Sequence, residues 1–249
     1  MHRQQVSSIA HSGHPIAAPL SDDSVHALLD RALPRGDARL LDLGCGSGTW
    51  LVRAQTARPG LRAEGVDNDT ETIAAARRAV ADAGLGDQIA FHVEDAAQFA
   101  SQHLYDVVLS IGSAHAFGGL LPTLEAAARH LSPGGSVLLG ECFWEREPDR
   151  ATLDSGFTPD EYDDLATTVD RVMADGWIPV HGHVSTLQEW DDYEWSWTGA
   201  LSRWALDHPE HSDNGQALEA AAAHRTAWLH GYRGTLGFVT LLLRRTTRP

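Results

Sequence analysis

The chain has 249 residues, 43% of them hydrophobic, and its 19 basic and 34 acidic side chains give a formal charge of −15. This length allows one large α/β domain with an insertion, or two small domains. The negative charge opposes DNA and RNA as partners, because affinity for nucleic acid depends on neutralising phosphates; moreover, the sequence contains no lysine and its arginines are scattered.

Membrane insertion and export are not expected. No stretch approaches the roughly 20 apolar residues that a transmembrane helix needs, and the N-terminal residues lack the apolar core of a signal peptide. The two cysteines, Cys45 and Cys142, allow at most one disulfide. We therefore expect a cytoplasmic protein with no membrane partner, and the sequence leaves a homodimer open.

Strand-like and helix-like segments alternate from about residue 25 to residue 140, which indicates a mostly parallel sheet with helices on both faces. The predicted elements are, in order, a helix at 24–33, strands at 39–41 and 62–67 with a helix at 49–57 between them, a helix at 70–83, strands at 91–96 and 105–110, a helix at 120–130 and a turn and strand at 131–139. Further along, the pattern predicts a helix at 159–174 and strands at 177–184 and 235–243.

The last two predicted strands are separated by about 50 residues, a length that a structureless loop does not normally reach. We therefore predict a helical insertion at 187–231. It contains five of the eight tryptophans of the chain. These large rings favour either a pocket that binds a planar or cationic small molecule, or the internal core of the insertion.

Glycines alternate in the segment that follows the first strand, at Gly44, Gly46 and Gly48. Glycine lets the main chain turn sharply and approach a ligand closely, and the next helix presents free N–H groups at its start. Thr49 stands where the dinucleotide-binding fingerprint requires its third glycine, and no Gly-Lys-Ser/Thr sequence of a P-loop follows. The segment therefore predicts a ligand-binding loop of another class, with a tight turn lacking any ligand as the alternative.

This run, with Asp42 before it, resembles the first motif of the class I S-adenosylmethionine (SAM) dependent methyltransferases. The strands at 62–67 and 91–96 supply Asp67 and Asp95, at positions similar to those that accept hydrogen bonds from the ribose hydroxyls and the adenine amino group in this family. The resemblance covers residues 40–139 well and the C-terminal part by general layout. It implies SAM as the cofactor and S-adenosylhomocysteine (SAH) as the product.

The family resemblance implies a Rossmann-like three-layer α/β/α sandwich. Its seven-stranded sheet would be mostly parallel, with an antiparallel last strand and a helical cap insertion. We expect a single methyltransferase domain made of an N-terminal lid and helix (1–36), a SAM-binding core (37–186), the cap insertion (187–231) and the last strand (232–249).

The cofactor site implied by the resemblance draws on the glycine loop and on the ends of the following strands. Its expected residues are Asp42, Gly44, Cys45, Gly46, Asp67, Asn68, Asp95, Ala96 and Ser110. For Cys45, a role as a small buried filler is favoured over thiol chemistry. Asp95 could instead cap the next helix, which is a common use of aspartate.

Catalytic side chains are expected after the fourth and fifth strands, because ligands of open α/β sheets bind at the carboxyl ends of the strands. His115 is the first candidate for a base, since imidazole exchanges protons near neutral pH; packing at a helix start is its alternative. Glu141 is expected to bind a polar or cationic acceptor, or to hold a loop.

The acceptor is expected to contact aromatic side chains, most of them in the cap insertion, together with a histidine of the N-terminal segment. The candidates are His14, Trp144, Trp190, Tyr193 and Trp197. His14 lies in an N-terminal segment that is suited to a lid, with disorder as the alternative. Methyl transfer needs no metal, and we expect none.

The sequence as a whole predicts an enzyme that transfers a methyl group from SAM to an oxygen, nitrogen or sulfur nucleophile of a small molecule. Two alternatives remain open. One is a protein that binds SAM as a sensor or scaffold without methyl transfer. The other is an enzyme that uses SAM for different chemistry.

Overall fold

The computed structural model of the protein describes Met1 and residues 3–246, with the backbone alone for Arg3 and Gln4. Residues 2 and 247–249, which fall in the predicted first and last segments, lie outside the described residues. The elements are α1 (Arg3–Ala10), a 3₁₀ turn (His11–Gly13), α2 (Asp22–Ala32), β1 (Arg39–Leu43), α3 (Thr49–Ala57), β2 (Arg62–Asp67), α4 (Thr70–Asp82), β3 (Ile89–Val93), β4 (Tyr105–Ile111), a 3₁₀ turn (Ala114–Phe117), α5 (Leu120–Ala128), β5 (Leu131–Trp144), α6 (Arg150–Asp154), α7 (Leu165–Ala174), β6 (Trp177–Val184), α8 (Leu187–Asp207), α9 (Asn214–Ala227), a π-helical turn (Trp228–Tyr232) and β7 (Leu236–Arg245).

The strands form a seven-stranded sheet in the order β3-β2-β1-β4-β5-β7-β6. β1 pairs in parallel with β2 and β4, and the pairs β2–β3 and β4–β5 are parallel too. β6 pairs with β7 in the antiparallel direction. The predicted Rossmann-like sheet with an antiparallel last strand is therefore confirmed.

The centre of the sheet is apolar because its strands are covered on both faces. β1 and β4 lie in the middle of the strand order, and their residues Leu40, Leu41, Val108 and Leu109 are fully buried. Such strands show a continuous run of apolar residues instead of alternating apolar and polar residues. This run is the pattern from which the sequence analysis predicted them.

Two compact units make up the chain. The sheet unit consists of Asp22–Glu141, Ala166–Val184 and Val239–Pro249, and the helical unit of Met1–Ser21, Cys142–Leu165 and Ser185–Phe238. The helical unit thus includes residues 142–165, which the sequence analysis assigned to the core segment. The assignment of all segments to one domain stays a prediction.

Two helices, α8 and α9, occupy most of residues 187–231, where a helical insertion was predicted. The helices α8 and α9 pack against each other through small side chains, with Leu201, Ala205, Ala217 and Ala221 almost fully buried. Ala10 at the end of α1 belongs to the same cluster. The N-terminal segment therefore forms a helix that contributes to the core of this unit, while its role as a lid stays a prediction.

The predicted helix at 159–174 is correct only in its second part, since α7 begins at Leu165. The preceding residues 159–162 instead form turns and bends, and this segment is held by hydrogen bonds from Trp144. Its backbone N–H donates to the Asp163 carbonyl at 2.9 Å, and its indole N–H donates to the Pro159 carbonyl at 3.3 Å. Trp144 also forms an isolated parallel bridge with Asp164. A partner this distant in sequence is not visible in a local pattern.

No helix of the described residues has both the length and the apolar character needed to cross a membrane.

Thr186 begins α8 with a capping box. Its side chain accepts from the Glu189 N–H at 3.2 Å, and the Glu189 carboxylate accepts from the Thr186 N–H at 2.8 Å. Replacing Thr186 by Ala removes the cap and should lower the free energy of unfolding by about 1 kcal/mol, measured by urea titration with tryptophan fluorescence. Thr186→Ser keeps the hydroxyl and serves as the control; equal losses in both variants would contradict this role of the cap.

Candidate functional site

The glycine loop after β1 is fixed to the end of β2. The N–H groups of Gly44 and Cys45 both donate to the Val66 carbonyl, at 2.9 and 3.0 Å. The Asp67 carboxylate accepts from the Gly46 N–H at 2.9 Å through one oxygen and from the Asp69 N–H at 3.0 Å through the other. The acid at the tip of β2 therefore lies directly beside the loop.

The backbone of this loop requires glycine. Gly44 and Gly46 adopt φ values of +83° and +51°, which side chains rarely adopt. A Cβ at Gly44 would lie 2.6 Å from the Cβ of Ser113, whereas a Cβ at Gly46 would meet nothing within 4 Å. The main chain at Gly46 therefore borders open space, as a loop that receives a ligand against its backbone must.

Two serines connect the end of β4 to the end of β1. The Ser113 hydroxyl donates to the Leu43 carbonyl at 2.9 Å, so the Ser110 hydroxyl, 2.7 Å away, donates to the Ser113 oxygen. Ser110 is fully buried. The structure therefore places Ser110 as a support of the loop, and its expected contact with the cofactor stays a prediction. Ser113 was not singled out from the sequence, because only its pairing across the sheet shows its role.

Burial raises the pKa values of Asp42 and Cys45. Burial, with a smaller contribution from the charge of Asp67, raises the pKa of Asp42 to about 7. Burial also raises the pKa of the Cys45 thiol. A Cβ on Gly65 of β2 would lie 2.8 Å from the Cys45 sulfur, so this thiol packs closely against the neighbouring strand. Its surroundings agree with the favoured role as a small filler.

The residues predicted to bind adenine are more exposed to solvent than Asp42 and Cys45. Asn68 and Asp95 are exposed, and Ala96 is buried. Asp95 accepts from the Ala97 N–H at 2.9 Å through one carboxylate oxygen and so caps a turn at residues 96–98; the helix that it was expected to cap in the alternative does not form there. Its other oxygen makes no hydrogen bond with the described residues, so a role toward adenine is compatible with this cap and stays a prediction.

Of the two predicted catalytic residues, His115 follows β4 as expected, whereas Glu141 lies within β5 and not after it, because β5 continues to Trp144. His115 is exposed in the 3₁₀ turn after β4, and Glu141 is half-buried in β5, one residue beyond the Ile111–Gly140 pair. The parallel pairing of β4 and β5 places both residues toward the carboxyl edge of the sheet. His115 has no side-chain hydrogen bond to the described residues that would orient its ring.

In the helical unit, three of the predicted acceptor residues, Trp144, Trp190 and Tyr193, belong to a chain of edge-to-face aromatic contacts. Phe157 contacts Trp144 at 5.6 Å and Tyr232 at 5.4 Å between ring centres. Trp190 contacts Tyr232 at 6.4 Å and Tyr193 at 6.3 Å. Trp144 and Trp190 are buried, so both contribute to the core of this unit.

Two histidines of the N-terminal segment contact Tyr193. The Tyr193 hydroxyl lies 3.1 Å from Nε2 of His11, whose Nδ1 lies 2.9 Å from the Ser7 carbonyl. Nδ1 therefore donates to Ser7, and Nε2 accepts from Tyr193. The ring of His14 meets Tyr193 edge-on at 5.5 Å. Burial lowers the pKa of His11 and raises the pKa of Tyr193, so both are neutral near pH 7.

A buried carboxylate lies among these rings. Glu194 is 2% exposed, and its two oxygens lie 2.7 Å from the Tyr232 hydroxyl and 2.7 Å from Nε2 of His224. The His224 ring stacks on Trp197, with ring centres 3.8 Å apart and planes inclined by 19°. Sequence reasoning predicted Trp197 here but missed the pairing of Glu194 with His224, because 30 residues separate the two.

Comparisons with known proteins agree with this geometry. A family model described as a methyltransferase domain matches residues 40–135. The uncharacterized protein YjhP of Escherichia coli is 28% identical over 83% of this chain and 84% of its own length. A SAM-dependent methyltransferase from Thiobacillus denitrificans, solved with SAH, superimposes with a TM-score of 0.88 at 26% identity over 99% of each chain. A trans-aconitate 2-methyltransferase of Streptomyces avermitilis is 31% identical over 52% of this chain and 46% of its own length.

Residues 40–135 match the methyltransferase-domain model, and together with the fold and the glycine loop they support a SAM-dependent methyltransferase. SAM is accordingly its cofactor. The residues present fit this group, because Gly46 leaves its main chain open and the Asp67 carboxylate beside it has lone pairs for donors such as ribose hydroxyls. The individual contacts to the cofactor stay predictions.

Replacing Asp67 by Ala should weaken SAH binding about 100-fold, because two charge-assisted hydrogen bonds are lost. Isothermal titration calorimetry with SAH measures the effect. Asp69→Asn is the matched control: it removes a charge two residues away, while asparagine still caps α4. Equal affinities of the two variants would exclude Asp67 as the ribose ligand.

Asp42 should make stability depend on pH. Its carboxyl has a pKa of about 7 in the folded protein and an ordinary value of 3.8 in the unfolded chain. Between these values the folded state keeps a proton that the unfolded chain has lost, so the free energy of unfolding falls as the pH rises from about 4 to about 7. Urea titrations should show wild type losing stability relative to Asp42→Asn across this range. A constant difference between the two proteins would contradict the assignment.

Proposed function

We propose that the protein transfers a methyl group from SAM to an oxygen, nitrogen or sulfur nucleophile of a small-molecule acceptor. The observation that carries the proposal is the open main chain of Gly46 beside the Asp67 carboxylate. The acceptor named for the trans-aconitate methyltransferase relative is a small molecule, which supports the acceptor class. The formal charge of −15 supports the absence of a nucleic-acid substrate.

When bound, SAM supplies an electrophilic methyl group, so the protein's own contribution is binding, alignment and handling of the acceptor's proton. In this proposal the loop around Gly46 and the Asp67 carboxylate bind the cofactor. Asp95 uses its second carboxylate oxygen for the adenine amino group. His115, in the turn after β4, and Glu141, within β5, are the proposed contacts of the reacting groups on the sheet unit.

On the helical unit, the proposed acceptor contacts are those of the sequence analysis: His14, Trp144, Trp190, Tyr193 and Trp197. The side chains of Tyr193 and Trp197 are half-buried, so part of each ring stays accessible to a ligand, and both lie beside polar groups. Half-buried rings next to hydrogen-bonding groups suit a planar or polar acceptor. The more buried Trp144 and Trp190 would act mainly by shaping this surface.

The proposal is tested by incubating the protein with methyl-labelled SAM and a panel of acceptors. The panel contains trans-aconitate, a catechol, a primary amine and a thiol. We expect labelled product and SAH release with at least one acceptor. Tight SAH binding without turnover on a widened panel would favour the alternative of a SAM sensor.

Glu141→Gln tests the role of the carboxylate in β5. If Glu141 contacts a polar acceptor, the variant should raise KM at least 10-fold and leave SAH affinity within 2-fold of wild type, because one charged hydrogen bond contributes about 1.5–3 kcal/mol. Steady-state kinetics with the methylated acceptor provide KM. Glu125→Gln in α5, an exposed acid on a helix, is the control. An unchanged KM in Glu141→Gln removes it from the acceptor site.

A further inference from the structure

A cavity of about 260 Å³ lies at the amino-terminal edge of the sheet, within the sheet unit. Its lining includes Arg39 and Arg62, the first residues of β1 and β2, and Gln88, the residue before β3. The glycine loop follows the other end of β1, so this amino-edge cavity is separate from the predicted cofactor site. Its volume is close to the lower end of ligand pockets, roughly 300–1,000 Å³, which suits a small metabolite.

Two arginine side chains of the amino-edge cavity have no partner. The parallel register pairs Arg39 with Arg62, so both side chains project from the same face of the sheet. Neither guanidinium makes a hydrogen bond or an ion pair with the described residues. Like charges on paired residues of neighbouring strands repel each other, and an anionic group between them relieves that repulsion.

The same cavity contains acceptors that lack a donor. The Oε1 atom of Gln88 is buried without a hydrogen-bond partner among the described residues, which costs free energy unless a donor from outside the protein reaches it. The adjacent Asp87 carboxylate is exposed and forms no ion pair with the described residues, although Arg39 and Arg62 line the same cavity. Cations and acceptors that share a cavity without contacting one another are complementary to a ligand that carries both charges.

The turn that carries Gln88 is fixed by its main chain. The Gln88 carbonyl accepts from the Ala63 N–H of β2 at 2.9 Å, and the Gln88 N–H donates to the Leu85 carbonyl at 3.1 Å. The Leu85 N–H in turn donates to the Val80 carbonyl in α4 at 2.9 Å. The amide side chain therefore extends from a backbone that is held on both sides, which lowers the entropic cost of binding a ligand.

Glu64 is the second acid of the lining, and it already has a partner. Its carboxylate lies 2.9 Å from Nε2 of His92. The exposed ring of His103 adds a further hydrogen-bonding group to the cavity. The charged groups that stay available to a ligand are therefore the two guanidiniums and the Asp87 carboxylate, with the Gln88 amide beside them in the sequence.

From these contacts we propose that the amino-edge cavity binds a small zwitterion of the amino-acid class. The carboxylate of the ligand lies between the guanidiniums of Arg39 and Arg62, whose planar N–H groups match carboxylate geometry. Its ammonium group donates to Oε1 of Gln88 and lies beside the Asp87 carboxylate. The formal charge of −15 suits a neutral zwitterion better than a polyanion. The inference is independent of the proposed function, because none of these groups belongs to the glycine loop.

Isothermal titration calorimetry with the standard amino acids tests the class of ligand. We expect at least one of them to bind with a Kd of about 1 mM or lower. Its N-acetyl derivative keeps the carboxylate and loses the ammonium group, whereas its amide derivative keeps the ammonium group and loses the carboxylate. Each derivative should therefore bind at least 10-fold more weakly. No binding in the whole set, or a derivative that binds as tightly as the amino acid, would overturn the proposal.

Substitutions then locate the site. Arg62→Gln and Asp87→Asn should each weaken binding of that amino acid at least 10-fold, because each removes one charge-assisted interaction. Arg78→Gln and Asp82→Asn are the matched controls: they make the same charge changes at exposed positions of α4 and should bind the amino acid as wild type does. Equal weakening in the site and control variants, or an unchanged affinity in Arg62→Gln, would show that the amino acid does not bind here.

Calorimetry with SAH separates this proposal from the proposed function. Saturating SAH should leave the affinity for the amino acid within 2-fold, and Arg62→Gln and Asp87→Asn should bind SAH as wild type does. Displacement of the amino acid by SAH would assign it to the cofactor site and overturn the proposal. A wild-type protein that binds the amino acid but no SAH would contradict the cofactor assignment and support the amino-edge cavity.

Discussion

The hydrogen bond from the Gly46 N–H to the Asp67 carboxylate is the contact on which the cofactor site depends. It joins the turn after β1 to the tip of β2, and the Asp69 N–H satisfies the second carboxylate oxygen. A carboxylate that accepts two backbone N–H groups is fixed in position before any ligand arrives, which lowers the entropic cost of binding. The parallel sheet makes this possible, because it brings the carboxyl ends of neighbouring strands to one edge.

The sheet unit was largely predictable because its signals are local. Apolar runs predict the buried strands, and Gly84, with φ of +70°, ends α4 where the pattern predicted a helix stop. The glycine spacing and the acids at strand ends predicted the cofactor class, and the comparisons confirm it. The Ser110–Ser113–Leu43 connection was not predictable, since small polar residues after a strand have many uses and only the strand order shows the partner.

The helices of the helical unit were predictable from the sequence, whereas the hydrogen bonds between its polar side chains were not. Length and tryptophan content predicted a helical insertion, and α8 and α9 confirm it. The pairing of Glu194 with His224 joins two helices through residues 30 positions apart, and Tyr232 reaches the same carboxylate across 38 positions. No local periodicity encodes such a pairing. The available signal was an acid between two aromatic residues, Tyr193 and Trp195, because a carboxylate in an apolar setting must find partners.

The most direct test is a crystal structure of the protein with SAH, in which the distances from the ribose hydroxyl oxygens to the Asp67 carboxylate are measured. The account predicts both hydroxyls at hydrogen-bond distance, about 2.5–3.0 Å, with the nucleoside against the main chain of Gly46. A nucleoside bound elsewhere, or ribose hydroxyls that do not contact Asp67, would contradict it.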